Sequence, residues 1–310
     1  MDMISRPITN ATARTMRPFI DNARSISAPA PFQQNTVMQT DPQGRLTIRP
    51  ACMDDMDNLA QLHYETYYRR FFCTETVGPD GAPYGGPLGA EFPQLIRGQS
   101  PESFGDYWVV FLPTAIPGKQ QSNYCFVATI LAADGERIIG FVKGDLAPLD
   151  DEITSIVSRE TGLDIDPEKV GELGSLYIDF RFQGTGAGRL LTATGAWELG
   201  RAGRAGMVAR AYKKNTSPAF FAKTGAEITG QCPIPVPYYE DSPTGRMEKI
   251  VDIGGTLLLW RENAFNALCR NPPMALLQRM QYCFAKRVDR EKPVQRVKTP
   301  SNYDCSFNVL

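Results

Sequence analysis

The stretch Ser175–Leu199, SLYIDFRFQGTGAGRLLTATGAWEL, decides the reading of this chain. An apolar, strand-like run leads into three glycines within five residues, and a helix-like run follows directly. Glycine lacks a Cβ, so it turns tightly and lets another group come close to the backbone. Consecutive N–H groups at a helix start point into one concavity, where the helix dipole adds partial positive charge. The pattern therefore predicts an anion-binding turn between a strand and a helix of roughly 186–202. A plain flexible connector is the bland alternative.

Two familiar glycine patterns fail here. The Walker loop requires GxxxxGK[ST], but Gly188 is followed by Arg189 and Leu190. The dinucleotide fingerprint requires GxGxxG, whereas Gly184, Gly186 and Gly188 are one residue too tightly spaced. The following strand-like run, GMVARAY, also ends without the acidic residue that would take a ribose. A third pattern, [Q/R]xxGx[G/A], is matched by Gln183, Gly184, Thr185, Gly186, Ala187 and Gly188.

The rest of the chain gives that loop its setting. The 310 residues are 42% hydrophobic and 22% charged, which suits a globular core. The formal net charge of −1 offers no basic excess for a phosphate backbone, so no nucleic-acid partner is expected. Seven cysteines without CxxC spacing and a single histidine, His63, predict no metal site and no disulfide framework. No run is long and apolar enough for a membrane span, and a reducing cytoplasm is the expected location.

Residues 1–44 read as a disordered tail. Residues 45–260 read as the folded domain, and 261–310 as a helical extension that ends in a frayed tail or supports a homodimer. RLTIRP alternates as a strand, and Asp54 or Asp55 is the expected N-cap of a helix through Met56, Leu59, Leu62, His63 and Tyr67. Residues 74–100 are rich in Gly and Pro and form a long loop, and a short helix covers PESFGDYWVVFL. NYCFVATIL and RIIGFVKGDL flank a turn and predict a hairpin. SPAFFAKTGA predicts a short helix stopping at Gly225. EITGQCPIPV and GRMEKIVDIGG are expected to pair as the last antiparallel strands, with helices after Trp260 at NAFNALC and MALLQRMQYCF.

Taken in order, LTIRPACMDDMDNLAQLH, ADGERIIGFVKGD, GELGSLYIDFRFQGTGAGRLL and NTSPAFFAKTGAEITG resemble the GCN5-related N-acetyltransferase (GNAT) family over about residues 45–255. The resemblance implies an α/β fold: a mixed, mostly antiparallel sheet of about seven strands, flanked by helices, with a splayed central strand pair. It implies acetyl-CoA as co-substrate, no metal, and transfer of the acetyl group to a primary amine on a small molecule or a protein. By that resemblance Gln183, Gly184, Thr185, Gly186, Ala187 and Gly188 would hold the pyrophosphate. Leu176, Tyr177 and Ile178 would pair with the pantetheine amides. Arg189 is either a contact to the adenosine end or a solvated helix residue, and Asn215 either lines the pantetheine channel or serves as a turn or cap.

The chemistry needs a group to take the amine's proton, because an alkylammonium does not attack. Glu172, five residues before Tyr177, is the candidate base; a solvated strand-edge carboxylate is its other reading. Asp145 and Glu240 are lesser candidates. The family's tyrosine acid is absent, because Phe221 occupies its position in FFAKTG. The thiolate then leaves unassisted, or Tyr177, Tyr238 or Tyr239 helps, or the protein binds acyl-CoA without catalysis. His63 and Tyr67 face either the acceptor cleft or the packed interior of their helix. Tyr239, in the turn PYYEDSPTG, is expected on the acceptor side. An exported or interaction protein on the same scaffold is the alternative function.

Overall fold

A computed structural model describes residues 39–40, 46–71, 91–92, 95, 101–116, 121–132, 135–212, 217–242 and 245–270. The tail before residue 39 and the run MALLQRMQYCF lie outside the described residues. In chain order the strands are β1 (Gln39–Thr40), β2 (Leu46–Pro50), β3 (Asn123–Ala132), β4 (Gly135–Asp145), β5 (Val170–Ile178), β6 (Gly206–Tyr212), β7 (Glu227–Cys232), β8 (Pro235–Ser242), β9 (Gly245–Asp252) and β10 (Gly255–Trp260). The helices are α1 (Met56–Phe71), α2 (Pro101–Ala115), α3 (Asp151–Thr161), α4 (Ala187–Arg201), α5 (Ser217–Ala222) and α6 (Glu262–Arg270). No described helix is long and apolar enough to cross a membrane.

The main sheet runs β1-β2-β3-β4-β5-β6-β10-β7, and β8 and β9 form a separate hairpin. Every neighbouring pair in the main sheet is antiparallel except β5 and β6. This is the mixed, mostly antiparallel sheet that the resemblance implied; seven strands carry it beside the two-residue β1 at its edge.

Strand alternation divides the core into two layers. On one face Tyr124, Phe126 and Ala128 of β3, Met207, Ala209 and Ala211 of β6, and Leu258 and Trp260 of β10 pack on Leu190, Leu191, Ala193 and Leu199 of α4 and Phe265 of α6. The residues between them point the other way. Cys125, Val127 and Phe141 meet α1 and α2 through Leu59, Leu62, Trp108 and Leu112. Val208, Leu257 and Leu259 meet α3 through Ile153, Ile156 and Val157. Helices α1, α2 and α3 therefore share the face opposite α4.

Two expectations are corrected. The segment EITGQC does not pair with GRMEKIVD: β7 pairs with β10, and β9 pairs back on β8. GTLLLW, buried at every position, inserts between β6 and β7 because a strand apolar on both faces fits only a sheet interior. The second concerns the start of α1. A single 3₁₀ turn, Met53–Asp55, precedes it, with Cys52 as the cap. Asp55 acts from the other side of that cap, its Oδ2 accepting from the Cys52 N–H at 2.9 Å.

Asp55 is tied as well to Arg49 of β2, with contacts of 2.6 and 2.7 Å, and Arg49 reaches on to Glu136 of β4 at 3.0 Å. Burial works to raise the Asp55 carboxyl, but the Arg49 guanidinium and the Cys52 N–H together hold it below the usual carboxylate range. A carboxyl depressed in the folded state stabilises fully above its unfolded value, near about pH 4, and loses that contribution as pH falls through the folded value. Asp55→Asn is therefore expected to cost about 2 kcal/mol at pH 7 and to flatten the acid limb of stability. Urea denaturation of both proteins at pH 7 and pH 3 checks this, and equal pH dependence would remove the ion pair from the account.

Candidate functional site

The site begins where the sheet opens. Strands β5 and β6 pair in parallel at Val170↔Gly206, Gly171↔Met207 and Glu172↔Val208, and there the pairing stops. Both strands run on, to Ile178 and Tyr212, so they diverge. A bulge in β5 marks the same place: Lys143↔Ser175 gives way to Asp145↔Glu172, with one more residue on β5 than on β4. Gly144 sits at that bulge, close beneath the Glu172 carbonyl and the Tyr124 hydroxyl.

The chain then leaves β5 through Asp179, whose Oδ1 accepts from the Arg181 N–H at 3.0 Å and opens a 3₁₀ turn, Phe180–Phe182. The Arg181 guanidinium folds back onto the same buried carboxylate, and Arg137 joins it at 3.5 Å. Gly184 (φ 71°) and Gly186 (φ 92°) hold left-handed backbone between which only a short turn fits. Thr185 is buried under them; its hydroxyl donates to the Phe182 carbonyl at 2.5 Å and accepts from the Ala187 N–H at 3.4 Å. The N–H groups of Gly184, Gly186, Gly188 and Arg189 have no partner among the described residues. Unpartnered N–H groups at a helix start are the donors that an anion-binding turn would need. Arg189 is exposed beside them.

Thr185 is the internal post of this turn, so Thr185→Val should loosen the loop at nearly constant volume. Loss of about one hydrogen bond, near 1.4 kcal/mol, corresponds to roughly tenfold weaker binding of a ligand at the turn. Titration with acetyl-CoA measures it; undiminished affinity would show that the hydroxyl does not set the loop.

The other predicted residues fall into three groups. Leu176, Tyr177 and Ile178 line β5 along the opening. Phe221 is buried against Trp260, ring centroids 5.3 Å apart, while its neighbour Phe220 borders the loop: a Cβ on Gly188 would lie 3.3 Å from the Phe220 ring. Asn215 lies outside the described residues, and Tyr239 is placed on β8 by its pairing with Glu248, its side chain not described.

Glu172 stands at the last paired register before the opening. Its Oε1 meets the Arg210 guanidinium at 3.0 Å, and this ion pair bridges β5 and β6 where they part. Burial works to lower the Arg210 guanidinium, but the charge and hydrogen bond of Glu172 raise it overall. Arg210 was not foreseen as a site residue. Its signal was a lone guanidinium in the otherwise apolar GMVARAY, which needs an anion when it lies in a sheet.

On the same face, His63 and Tyr67 of α1 meet Tyr177 in an aromatic cluster. The His63 ring centroid lies 4.7 Å from Tyr177, 4.5 Å from Phe104 and 5.4 Å from Phe141. Lys143 stands over the rings of Tyr107 and Phe111, at 5.1 and 4.8 Å from their centroids. Tyr67 also contacts the cluster of Leu95, Tyr212 and Ile253, which Tyr238 joins from the β8–β9 hairpin. Tyr177, His63 and Tyr67 are thus brought together, and the last hairpin reaches the same side. Among the described residues no three His, Cys, Asp or Glu side chains converge as a metal site.

No family model matches the chain, and no curated protein matches it significantly. Among solved structures it is similar to an acetyltransferase of the GNAT family from Streptococcus pneumoniae, at 17% identity over 70% of this chain and 99% of that one, TM-score 0.39. It is similar also to the ribosomal-protein-S5-alanine acetyltransferase from Vibrio fischeri, at 14% identity over 71% of this chain and 94% of that one, TM-score 0.41. A GNAT superfamily phosphinothricin acetyltransferase from Sinorhizobium meliloti, in complex with acetyl-CoA, matches at 14% identity over 70% of this chain and 89% of that one, TM-score 0.38. The strand order, the opening between β5 and β6, and the glycine loop into α4 give this chain the architecture that its resemblance to the GNAT acetyltransferases implied.

Proposed function

We propose that this protein is an acetyl-CoA-dependent N-acetyltransferase that moves the acetyl group from the thioester to a primary amine by direct attack. One observation carries the reading: open N–H donors at the start of α4 stand at the end of a strand that keeps β4 on one side and has parted from β6 on the other. A nest beside an unpaired strand edge suits a ligand with a pyrophosphate at one end and an amide-bearing arm next to it. Coenzyme A has that order of parts.

In this reading Gln183 to Gly188 hold the pyrophosphate and Arg189 faces the phosphates of the adenosine end. The arm adds to β5 along Leu176, Tyr177 and Ile178, and Asn215 lines its channel. An N–H of β5 near the bulge donates to the developing oxyanion. Glu172, held at the opening by Arg210, is the base that takes the entering ammonium's first proton and passes it to solvent. Tyr177, His63, Tyr67 and Tyr239 belong to the acceptor side. The acceptor is a small-molecule or protein amine.

The test is calorimetric titration with acetyl-CoA and CoA, followed by CoA-thiol release with phenethylamine, spermidine and an alanine-initiated peptide. Binding with turnover supports the enzyme. Binding without turnover of any amine supports a non-catalytic acyl-CoA-binding protein, the reading that Phe221 favours because a phenyl ring has no proton to give. No binding by folded protein would overturn both.

A further inference from the structure

Resting on that acetyl-transfer reading, we infer that His63 carries the reaction's proton, taking it from the attacking amine and returning it to the departing thiolate. The inference starts from an unpaired atom. Nδ1 of His63 is buried and has no hydrogen-bond partner among the described residues. Buried polar atoms are nearly always satisfied, so an orphan asks for a reason. Nε2 has no hydrogen-bond partner among the described residues either. One nitrogen is sealed in, and we assign the other to the cleft.

The surroundings select the tautomer. The rings of Phe104, Tyr107, Trp108 and Phe141 lie edge-to-face with His63 at 4.5 to 6.0 Å. A proton on Nδ1 can rest against such a π-face, whereas a bare lone pair there gains nothing. A neutral imidazole protonated at Nδ1 leaves the Nε2 lone pair open. The ring lies 4.7 Å from that of Tyr177 on β5, the strand along which the thioester arm would lie.

The environment then decides which way the proton moves. Burial, reinforced by the Lys143 ammonium, holds His63 well below its ordinary range. Among the described residues the titratable groups that face it are Tyr67 of α1, Tyr107 of α2, Lys143 of β4 and Tyr177 of β5, and none of these is a carboxylate that would favour imidazolium. Such an imidazole is a weak resting base and a strong acid once protonated. The neutral amine attacks, its lone pair forming the C–N bond while the carbonyl pair moves to oxygen. The nitrogen, acidified by that bond, passes its proton to Nε2. The carbonyl re-forms, C–S breaks with its electron pair going to sulfur, and Nε2–H protonates the thiolate. The last transfer runs downhill, because a thiol titrates near about 8.5. No separate acid at Phe221 is needed.

The chain's single histidine makes the test direct, since one imidazole gives one set of signals. With ¹⁵N-histidine protein, long-range ¹H–¹⁵N spectra should show the neutral Nδ1–H tautomer from pH 6 to 8; an Nε2–H tautomer would overturn the shuttle without any activity assay. In kinetics with the fastest of the three amines, His63→Gln should lose about 100-fold or more in kcat with acetyl-CoA affinity unchanged. His63→Phe keeps the aromatic packing should the Gln variant unfold. Its rate should lose the acid limb that the wild type shows. Full kcat in either folded variant overturns the shuttle and leaves the acetyltransferase standing. Failure of the wild type to bind acetyl-CoA, or to turn over any amine, removes both.

Discussion

Acetyl-CoA binding is expected to fall at least about 100-fold in Gly186→Glu, the equivalent of about 3 kcal/mol. Two effects add. Gly186 has φ 92° at the cap of α4, and an L-residue there is strained by about 1–2 kcal/mol. The new carboxylate also occupies the concavity that the N–H groups of Gly184, Gly188 and Arg189 would offer a pyrophosphate, and like charges at close range cost several kcal/mol more. Strain alone is controlled by Gly203→Ala. Gly203 has φ 86° at the far end of α4, and an added Cβ there meets nothing within 4 Å. Both variants should melt earlier than the wild type, but only the Gly186 variant should lose acetyl-CoA heat. Equal binding by all three proteins would reduce the glycines to a connector.

The second large effect is on the fold beneath the site. Gly144→Ala would place a Cβ 2.4 Å from the Glu172 carbonyl oxygen and 2.5 Å from the Tyr124 hydroxyl oxygen. The first of these is backbone in the neighbouring strand and cannot turn aside. Strands β4 and β5 must part at the bulge, and the 3.4 Å hydrogen bond from Tyr124 to the Glu172 carbonyl goes with them. We expect a loss of about 3 kcal/mol and a melting temperature lower by roughly 6–12 °C. Gly105→Ala in α2 should do the opposite. Its Cβ meets nothing within 4 Å, and alanine is the better helix former by about 1 kcal/mol. Thermal melts of the two variants decide the matter; a neutral Gly144→Ala would mean the bulge has slack that its contacts do not show. Turnover by the Gly144 variant should drop with stability, because the bulge also places Glu172 against Arg210.

Local features of the sequence determined a good deal. The hairpin of β3 and β4, the helix α4 and the short α5 are written in period-2 and period-3.6 patterns, with turn glycines at their ends, and all form where those patterns place them. The left-handed Gly184 and Gly186 were legible for the same reason, since only glycine takes that backbone cheaply. What the sequence left open depends on partners distant along the chain. GTLLLW belongs beside GMVARAY, some 45 residues earlier in the chain, and no local pattern names that neighbour. Glu172 read as a base or as a solvated strand-edge carboxylate, and only the sheet brought Arg210 to it at 3.0 Å. Phe221 and Phe220 are equivalent on paper; packing against Trp260 buries one and leaves the other at the loop. The cleft or the helix interior was an open choice for His63; the structure seals in its Nδ1 and packs its ring against Tyr177 of β5. Propensity acts between near neighbours, whereas burial, ion pairing and the divergence of two strands arise only when the sheet closes, and those decide the chemistry of this site.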